Sequence, residues 1–137
     1  MTIYYLGLRE ILQIHQDAIE DSGGGQGIRD DAGIHSAIAA PQTNYFGHER
    51  YPTLAEKAAA MCLELVMQHP FMDGNKRVGH GAMAHFLHMN GHILNAEDDE
   101  QESVIMKLAA GELSQTDFFD WVKKVLAPDP EYSEFES

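Results

Sequence analysis

Apolar residues along this chain recur at the three- and four-residue spacing of amphipathic helices, and glycine, proline or short polar runs separate the stretches. Such spacing places apolar side chains on one helical face, whereas strands show strict alternation. We therefore predict an all-α fold in which helices bury their apolar faces against one another. The predicted helices cover residues 8–21, 29–40, 54–68, 75–90, 99–110 and 114–127.

The stretch 54–68 is almost entirely apolar, which predicts a buried central helix. Thr53 is a good N-cap residue, and Glu56 three positions later completes the pattern of a capping box. The helix should end before His69, because a residue that precedes a proline, here Pro70, disfavours helical backbone angles.

Residues 42–52 form the least helical stretch, with aromatic residues on both sides of Gly47 and a proline at the end. This composition fits either a small β-hairpin or an ordered loop. Its aromatic side chains either hold a partner or fold back on the core, and the pattern does not choose between these arrangements.

A chain of 137 residues with 44% hydrophobic residues is long enough for one globular domain with its own core. Cys62 is the single cysteine, so no disulfide can form within the chain, and a reducing compartment is favoured. The sequence contains neither an apolar run that could span a bilayer nor the pattern of a signal peptide. We therefore expect a cytoplasmic protein without membrane attachment.

Acidic residues dominate the charge, since nine Lys and Arg stand against 22 Asp and Glu, for a formal net charge of −13. Such a chain repels a phosphate backbone, which argues against general nucleic-acid binding. The acidic residues concentrate in 97–102 and at the C-terminal end. We expect a folded domain over residues 1–127, followed by a disordered acidic tail over residues 128–137.

The glycine-rich run at residues 22–27 separates the first predicted helix from the second. A phosphate-binding loop would require a strand before it and Gly-Lys-Ser/Thr after it, and the sequence has neither. We interpret the run as a connecting turn with positive φ angles.

The sequence HPFMDGNKR, residues 69–77, places many polar residues between two predicted helices. The start of the second helix offers free backbone N–H groups and a favourable dipole, which together bind anions. Lys76 and Arg77 add cationic side chains that suit phosphate oxygens. Asp73 would hold a hard cation such as Mg²⁺, and His69 would act as a general base. These are the parts of a phosphoryl- or nucleotidyl-transfer site, although aspartate and Gly-Asn are also common in ordinary turns.

This run resembles the motif of the Fic/Doc superfamily, whose Fic branch reads His-Pro-Phe-x-Asp/Glu-Gly-Asn-Gly-Arg-x-x-Arg. The Doc (death-on-curing) branch carries a lysine in place of the second glycine, as Lys76 does here. SGGGQGIRDDAGIHSAI, residues 22–38, is similar to the glycine-rich turn and Ile-Arg-Asp segment of Doc-like toxins, and HMNGH, residues 88–92, to their Asn-Gly helix end. The likeness covers most of residues 6–126 and implies a Fic/Doc-like helical bundle with a small β-hairpin flap.

The resemblance implies a role for each matching residue. The motif histidine of the family deprotonates a hydroxyl group of the target protein, which assigns the catalytic role to His69. The acidic residue of the motif holds Mg²⁺ on the nucleotide phosphates, which assigns the metal to Asp73. The residues implied to shape the anion hole and bind the phosphates are Gly74, Asn75, Lys76 and Arg77.

Two positions depart from the adenylylating branch: Lys76 stands where those members have glycine, and His80 where they have the second arginine. A lysine at this position should crowd the usual place of the α-phosphate, and Doc-like proteins that carry it are kinases. The resemblance therefore favours transfer of the γ-phosphate of ATP to a Ser/Thr hydroxyl group of a translation factor, with elongation factor Tu as the leading target. Protein adenylylation and a non-catalytic binding module of the same fold are the alternatives.

By the same resemblance, the chain would be the toxin of a type II toxin–antitoxin pair, with a cognate antitoxin and the modified protein as partners. The sequence contains no Ser/Thr-x-x-x-Glu-Gly/Asn inhibitory helix, so inhibition should come from another chain. The flap of the family docks the target segment by strand addition, which points to Tyr45, Phe46 and Arg50.

Three histidines, His85, His88 and His92, fall near one helical face, and the i, i+4 spacing of the last two matches that of metal ligands. No nearby cysteine or carboxylate obviously completes a ligand set. We interpret them as polar residues at a partly exposed surface, and the pattern leaves a transition-metal site open.

Overall fold

The helices expected from the apolar spacing are present in the computed structural model, which describes residues 2–132. Within these residues the chain forms six α-helices, one 3₁₀ turn and two antiparallel pairs of short strands, and none of the helices is long and apolar enough to cross a membrane. The all-α fold with a small β-hairpin is therefore confirmed. The helices are α1 (Leu8–Ser22), α2 (Asp31–Ala39), α3 (Leu54–Gln68), α4 (Asn75–Met89), α5 (Asp98–Ala109) and α6 (Gln115–Val125), and the 3₁₀ turn is Ala40–Gln42.

Helix α3 lies at the centre of the molecule and contacts α2, α4, α5 and α6. Ten of its 15 residues are buried, which confirms the central helix expected from its apolar composition. Thr53 caps its start, because the side-chain oxygen accepts a hydrogen bond from the Glu56 N–H at 3.2 Å. The Thr53 hydroxyl in turn donates to the Glu56 carboxylate at 2.7 Å, so the two side chains close on each other.

Helices α3 and α4 approach each other closely at Gly79. A Cβ atom added there would lie 2.6 Å from Val66 Cγ2 and 3.2 Å from the Cys62 carbonyl oxygen. The missing side chain therefore lets the two helices meet. Cys62 is fully buried at this contact, and desolvation by burial raises the pKa of its thiol well above the usual value.

Residues 43–50, which we call the flap, form a β-hairpin in which β1 (Asn44–Tyr45) runs antiparallel to β2 (His48–Glu49). Phe46 and Gly47 make the turn with φ angles of 52° and 83°, the left-handed pair found in type I′ hairpin turns. The strand residues are exposed and Phe46 is 101% exposed, so the aromatic side chains at the tip do not fold back on the core. Of the arrangements that the sequence left open, the structure has the hairpin with exposed aromatic residues.

A buried lysine holds the flap against the helices. Lys57 on α3 is 1% exposed, and its ammonium nitrogen donates to Glu49 Oε1 at 2.7 Å and to the Pro41 carbonyl oxygen at 3.3 Å. A buried ammonium group requires such partners, because an uncompensated charge in the interior is strongly unfavourable. The flap is therefore tied to α3 by an ion pair.

The apolar spacing gives no sign of the second strand pair, in which β3 (His92–Leu94) runs antiparallel to β4 (Leu126–Pro128). The prediction that the last helix continues to residue 127 is wrong by two residues, since α6 ends at Val125 and the chain becomes extended. Pro128 disfavours helical angles at Ala127, and Leu126 is already extended and pairs with Leu94 of β3.

Residues 128–137, expected to form a disordered tail, are described as far as Tyr132. Within that part, the Asp129 N–H donates to the Gly91 carbonyl oxygen at 2.9 Å, and the strand pairing holds the chain against the domain. Ordered structure is therefore found up to Tyr132. The remaining residues, 133–137, lie outside the described residues, so the expected domain boundary stays a prediction.

The variant Gly79→Ala should destabilise the fold by about 1–3 kcal/mol, because the added methyl group would clash with Val66 and a backbone carbonyl across the α3–α4 contact. Alanine is the better helix former by about 1 kcal/mol, so a net loss would show that the clash is the larger effect. Urea unfolding followed by circular dichroism measures the change. The exposed Ala84 on the same helix provides the control, since Ala84→Gly should cost about 1 kcal/mol from helix propensity alone. Equal or increased stability of Gly79→Ala would contradict the close approach of the two helices.

Candidate functional site

Helix α3 ends in a sharp turn that positions the histidine expected to be the base. His69 follows the helix in the left-handed conformation, with φ 50° and ψ 55°, which is uncommon for a residue that carries a side chain. This reversal and the fixed ring of Pro70 turn the chain out of the helix. The His69 side chain is exposed and lines a pocket at the start of α4.

Residues 29 and 30, which precede α2, stabilise this turn by hydrogen bonds to its backbone. The Arg29 guanidinium donates to the Gln68 carbonyl oxygen at 3.0 Å and to the His69 carbonyl oxygen at 2.8 Å. The backbone N–H groups of Arg29 and Asp30 donate to the Pro70 carbonyl oxygen at 2.8 and 2.9 Å. The last carbonyl groups of a helix have no partner within the helix, so Arg29 satisfies two of them and fixes the backbone that carries His69.

Phe71 anchors the turn in the core. Its side chain is 1% exposed and stacks on the His15 ring, with ring centroids 3.9 Å apart and planes inclined by 10°. The His15 Nε2–H group donates to the Asp73 carbonyl oxygen at 3.0 Å, so α1 contacts the turn at two points. The Asn75 side chain bonds both backbone groups of Phe71, because Oδ1 accepts from its N–H and Nδ2 donates to its carbonyl oxygen, each at 3.0 Å.

Two residues of this framework, Arg29 and His15, are absent from the residues predicted to form the site. Their partners are mainly backbone carbonyl groups, and a sequence pattern carries no signal for such contacts. The similarity of the Ile-Arg-Asp run at 28–30 to Doc-like toxins was the one sign that pointed to Arg29. For His15, the apolar spacing of α1 indicated only an amphipathic helix.

Residues of the motif 69–77 and of the glycine-rich run 22–27 together line one open pocket of about 440 Å³. Ser22 and Gly24 from the turn and Met72 complete its wall. The fold thus brings together the whole set of residues predicted for catalysis, phosphate binding and metal binding, and their chemical roles stay predictions. The members of that set in the pocket lining are His69, Asp73, Gly74, Asn75, Lys76 and Arg77.

The start of α4 gives this pocket its positive character. The first N–H groups of a helix have no partner within it, and at α4 they belong to Asn75, Lys76 and Arg77. The Asn75 amide is bonded to Phe71, so Asn75 offers the pocket its backbone N–H. The exposed Lys76 side chain makes no hydrogen bond or ion pair with the described part of the chain, and the Arg77 guanidinium donates to the Ala18 carbonyl oxygen at 3.0 Å. Free N–H groups and two cations favour an anion at this point of an otherwise acidic protein.

Asp73 places its carboxylate between two backbone N–H groups. The Gly74 N–H donates to Oδ1 at 2.8 Å, and the Gly25 N–H donates to Oδ2 at 3.2 Å. Among the described residues, no group of three or more His, Cys, Asp or Glu side chains could hold a metal ion. A single exposed carboxylate beside an anion site nevertheless fits Mg²⁺, which usually binds through a carboxylate, substrate phosphates and waters.

The flap residues predicted to dock a target lie outside the lining of this pocket. Arg50 Nη1 donates to the Tyr45 hydroxyl at 3.1 Å, and its guanidinium carbon lies 5.2 Å from the centroid of the Tyr51 ring. Arg50 therefore stabilises the flap through contacts with two tyrosine side chains. Tyr45 and Phe46 stay exposed on the hairpin, where a second chain could reach them.

The histidines with metal-ligand spacing have separate partners. His88 Nδ1 lies 3.3 Å from Asp129 Oδ2, and His92 Nδ1 donates to the Asn90 carbonyl oxygen at 2.8 Å. His85 is exposed on α4. Nitrogen atoms of His88 and His92 are thus committed to different partners rather than to one common point.

Two comparisons with known proteins bear on this pocket. The family model described as Fic/DOC family matches residues 5–87, a range that includes every residue in the pocket lining. Over 77 residues the chain is 42% identical to Toxin Doc of Mycolicibacterium smegmatis. This match covers 56% of the chain and 59% of that protein, so the chain spans less than two thirds of the relative's length.

The variant Arg29→Ala should lower the free energy of unfolding by about 1–2 kcal/mol, because it removes charge-assisted hydrogen bonds to two carbonyl groups at the end of α3. It should also raise hydrogen–deuterium exchange in residues 68–72, where the turn loses its lateral support. Arg9 offers a matched control, since it is an exposed arginine whose side chain makes no hydrogen bond to the described residues. Arg9→Ala should change stability by less than about 0.5 kcal/mol. Equal exchange in the two variants would show that Arg29 does not hold the turn.

Proposed function

The chain belongs to the Fic/DOC family, and from that premise we propose that it is a Doc-type toxin that phosphorylates a protein. The reaction transfers the γ-phosphate of ATP to a Ser/Thr hydroxyl group of a translation factor, with elongation factor Tu as the leading candidate. The observation that carries the proposal is the convergence of a histidine, a carboxylate and a cationic helix start in one pocket. Phosphoryl transfer needs these parts for proton removal, metal binding and phosphate orientation.

Each of these residues has a place in the proposed reaction. His69 takes the proton of the acceptor hydroxyl group, whose oxygen bonds to the γ-phosphorus while the bond to the ADP oxygen breaks. Asp73 holds Mg²⁺, which supplies charge neutralisation on the phosphates when it is bound with ATP. The N–H groups at the start of α4, together with Lys76 and Arg77, orient the phosphate oxygens and stabilise the charge that develops on them.

Lys76 favours phosphoryl transfer over adenylyl transfer. It is the second residue of α4, it lines the pocket, and its ammonium group has no hydrogen bond or ion pair with residues 2–132. A long cationic side chain here crowds an α-phosphate seated against the helix and favours the terminal phosphate in that place. Protein adenylylation is the second candidate, because the same base, carboxylate and anion site serve that reaction too.

The proposed partners are a protein target and a cognate antitoxin. The relative is named a toxin, and a toxin requires an inhibitor, which we place on a separate chain that covers the pocket. The target docks at the flap, whose short strands are exposed and whose tip carries the fully exposed Phe46. An exposed strand edge can accept an added strand, and an aromatic residue beside it can supply contact area.

Incubation of a cell lysate with the purified chain, ATP and Mg²⁺ should add about 80 Da to one protein, the mass of a phosphoryl group. His69→Ala should slow this modification by about 10²–10⁴-fold, the usual contribution of a general base. Asp73→Ala should abolish it at limiting Mg²⁺, because no other carboxylate of the described residues lines the pocket. Intact-protein mass spectrometry of the modified target gives both the mass and the rate.

His85, an exposed histidine on α4 that lies outside the pocket lining, provides the matched control, and His85→Ala should keep the wild-type rate. A gain of about 329 Da would instead identify adenylyl transfer. Toxicity that survives His69→Ala without any mass gain would favour the non-catalytic binding module. Addition of the antitoxin to the same reaction should suppress the modification.

The variant Phe46→Ala should raise the KM for the protein target by about tenfold or more, the effect expected when an aromatic anchor is removed from an interface. The affinity for ATP should not change, since Phe46 does not line the pocket. Thermal unfolding should not change either, because the side chain is fully exposed. Phe46→Tyr keeps the ring and serves as the control. A KM equal to that of the wild type in Phe46→Ala would remove the tip of the flap from target docking.

A further inference from the structure

The glycine-rich turn before α2 contacts the carboxylate that is proposed to bind the metal. Gly24 lines the pocket, and the Gly25 N–H donates to Asp73 Oδ2 at 3.2 Å. A Cβ atom on Gly24 would lie 2.6 Å from Asp73 Oδ2 and 3.2 Å from its Cγ. The carboxylate therefore occupies the space that a side chain at position 24 would need.

Backbone conformation does not explain the glycine at this position. Within the turn, positive φ angles of 71° and 114° occur at Gly23 and Gly27, which confirms the expected turn conformation at those two residues. Gly24 and Gly25 have φ angles outside the left-handed region, so backbone conformation does not require glycine at either position. What Gly24 supplies is room for a neighbouring side chain.

We infer that Gly24 is a positioning residue that sets the direction of the Asp73 carboxylate for metal-assisted nucleotide binding. The inference rests on the proposed function, because it takes Asp73 as the Mg²⁺ ligand. Each Asp73 oxygen accepts one backbone N–H, from Gly74 or from Gly25. An ionised carboxylate oxygen has a further lone pair, so both oxygens stay able to bind a cation while the hydrogen bonds fix their position.

The geometry of Mg²⁺ makes this position important. Mg²⁺ demands near-ideal octahedral coordination at about 2.0–2.1 Å, so a ligand oxygen that is moved or rotated binds it poorly. A separation of 2.6 Å is shorter than real Cβ contacts, so a side chain at position 24 would push the carboxylate away or displace the turn. Rotation of the Asp73 carboxylate to another rotamer would break its hydrogen bonds from Gly74 and Gly25, but the side chain is exposed and water can replace them, so the effect on stability should be small. Substitution of Gly24 should therefore impair metal binding selectively.

The neighbouring glycine offers a closely matched control. A Cβ atom on Gly25 would have a single neighbour within 4 Å, Asp73 Cβ at 3.9 Å, which is an ordinary van der Waals contact. Gly25→Ala also keeps the backbone N–H that donates to Asp73. Neither glycine needs a positive φ angle, so Gly24→Ala and Gly25→Ala restrict the unfolded chain to the same extent. The collision with the carboxylate is the main difference between them, beside a tighter approach of the Gly24 Cβ to Ile19 Cδ1 at 3.3 Å.

The test combines the ¹³C resonance of the Asp73 carboxyl carbon with calorimetric titration of ATP in the presence and absence of Mg²⁺. In Gly24→Ala the Asp73 resonance should shift, and the gain in ATP affinity that Mg²⁺ confers should fall by about 10- to 100-fold, as when the support of a metal ligand is removed. The thermal unfolding temperature should stay close to that of the wild type. Gly25→Ala should match the wild type in all three measurements.

A double variant separates the carboxylate from the turn. In the Asp73→Ala background, Gly24→Ala should have no further effect on ATP binding, because the oxygen that it displaces is gone. A further loss in that background would locate the effect in the turn itself and overturn the inference.

The remaining outcomes distinguish the inference from the proposed function. An unchanged Asp73 resonance in Gly24→Ala would overturn the positioning role and leave the proposed function intact. A shifted resonance with an unchanged Mg²⁺ effect would show that Asp73 is not the metal ligand. That result would overturn the metal assignment of the proposed function, and with it the functional part of the inference.

Discussion

The site depends on one residue pair, because the Asn75 side chain bonds both the N–H and the carbonyl group of Phe71. The Phe71 ring is buried against His15 at the same time, so its side chain and its backbone are fixed from two sides. A short turn between two helices would otherwise leave these backbone groups without partners beside a buried ring, which is unfavourable. Once the turn is closed in this way, His69 before it and Asp73 after it are left at the surface of one pocket.

The pocket also shows how an acidic chain can offer a site to an anion. The net charge of −13 is a property of the whole sequence, whereas binding depends on the groups within a few ångströms of the ligand. Glu102 shares a neighbouring cleft with Lys76 and Arg77, so acidic residues reach the edge of the pocket. Among residues 2–132, Asp73 is the single carboxylate in the pocket lining. A carboxylate that holds a divalent cation adds to the attraction of phosphates instead of opposing it. The local balance therefore favours a phosphate ligand despite the overall charge.

Much of the fold could be predicted because its helices carry local signals. The apolar run of α3 and its Thr53 cap were sufficient to place that helix to the residue. The β3–β4 pair could not be predicted, since its three-residue strands are distant in sequence and too short for a pattern of alternation. The flap turn was also ambiguous, because Phe46 adopts a positive φ angle that its residue type gives no reason to expect.

In the candidate site, too, some residues could be predicted from the sequence and others could not. Its chemical groups were visible in sequence because they are contiguous from His69 to Arg77. The residues that hold them could not be found, since Arg29 and His15 act on backbone carbonyl groups and Gly24 acts by leaving space. Every residue carries the same backbone carbonyl group. A contact with such a group therefore leaves no signal in the pattern of residue types. The chemical groups of the candidate site were thus easier to predict than the framework that supports them.

Helix α3 links the two regions that the proposed reaction requires. The flap is too short and too exposed to be stable alone, since its strands have two residues each and no buried face. The Lys57 ammonium group near the start of α3 holds it through Glu49, and the end of the same helix carries His69. An α-helix is rigid over this length. The distance between Lys57, which anchors the flap, and His69, the proposed base, is therefore set by the eleven residues between them and by a rise of about 1.5 Å per residue. A segment docked on the flap would therefore lie at a fixed distance from His69, the proposed base, because one buried helix joins the two. The packing of α4 against that helix at Gly79 would align the proposed phosphate-binding groups with both.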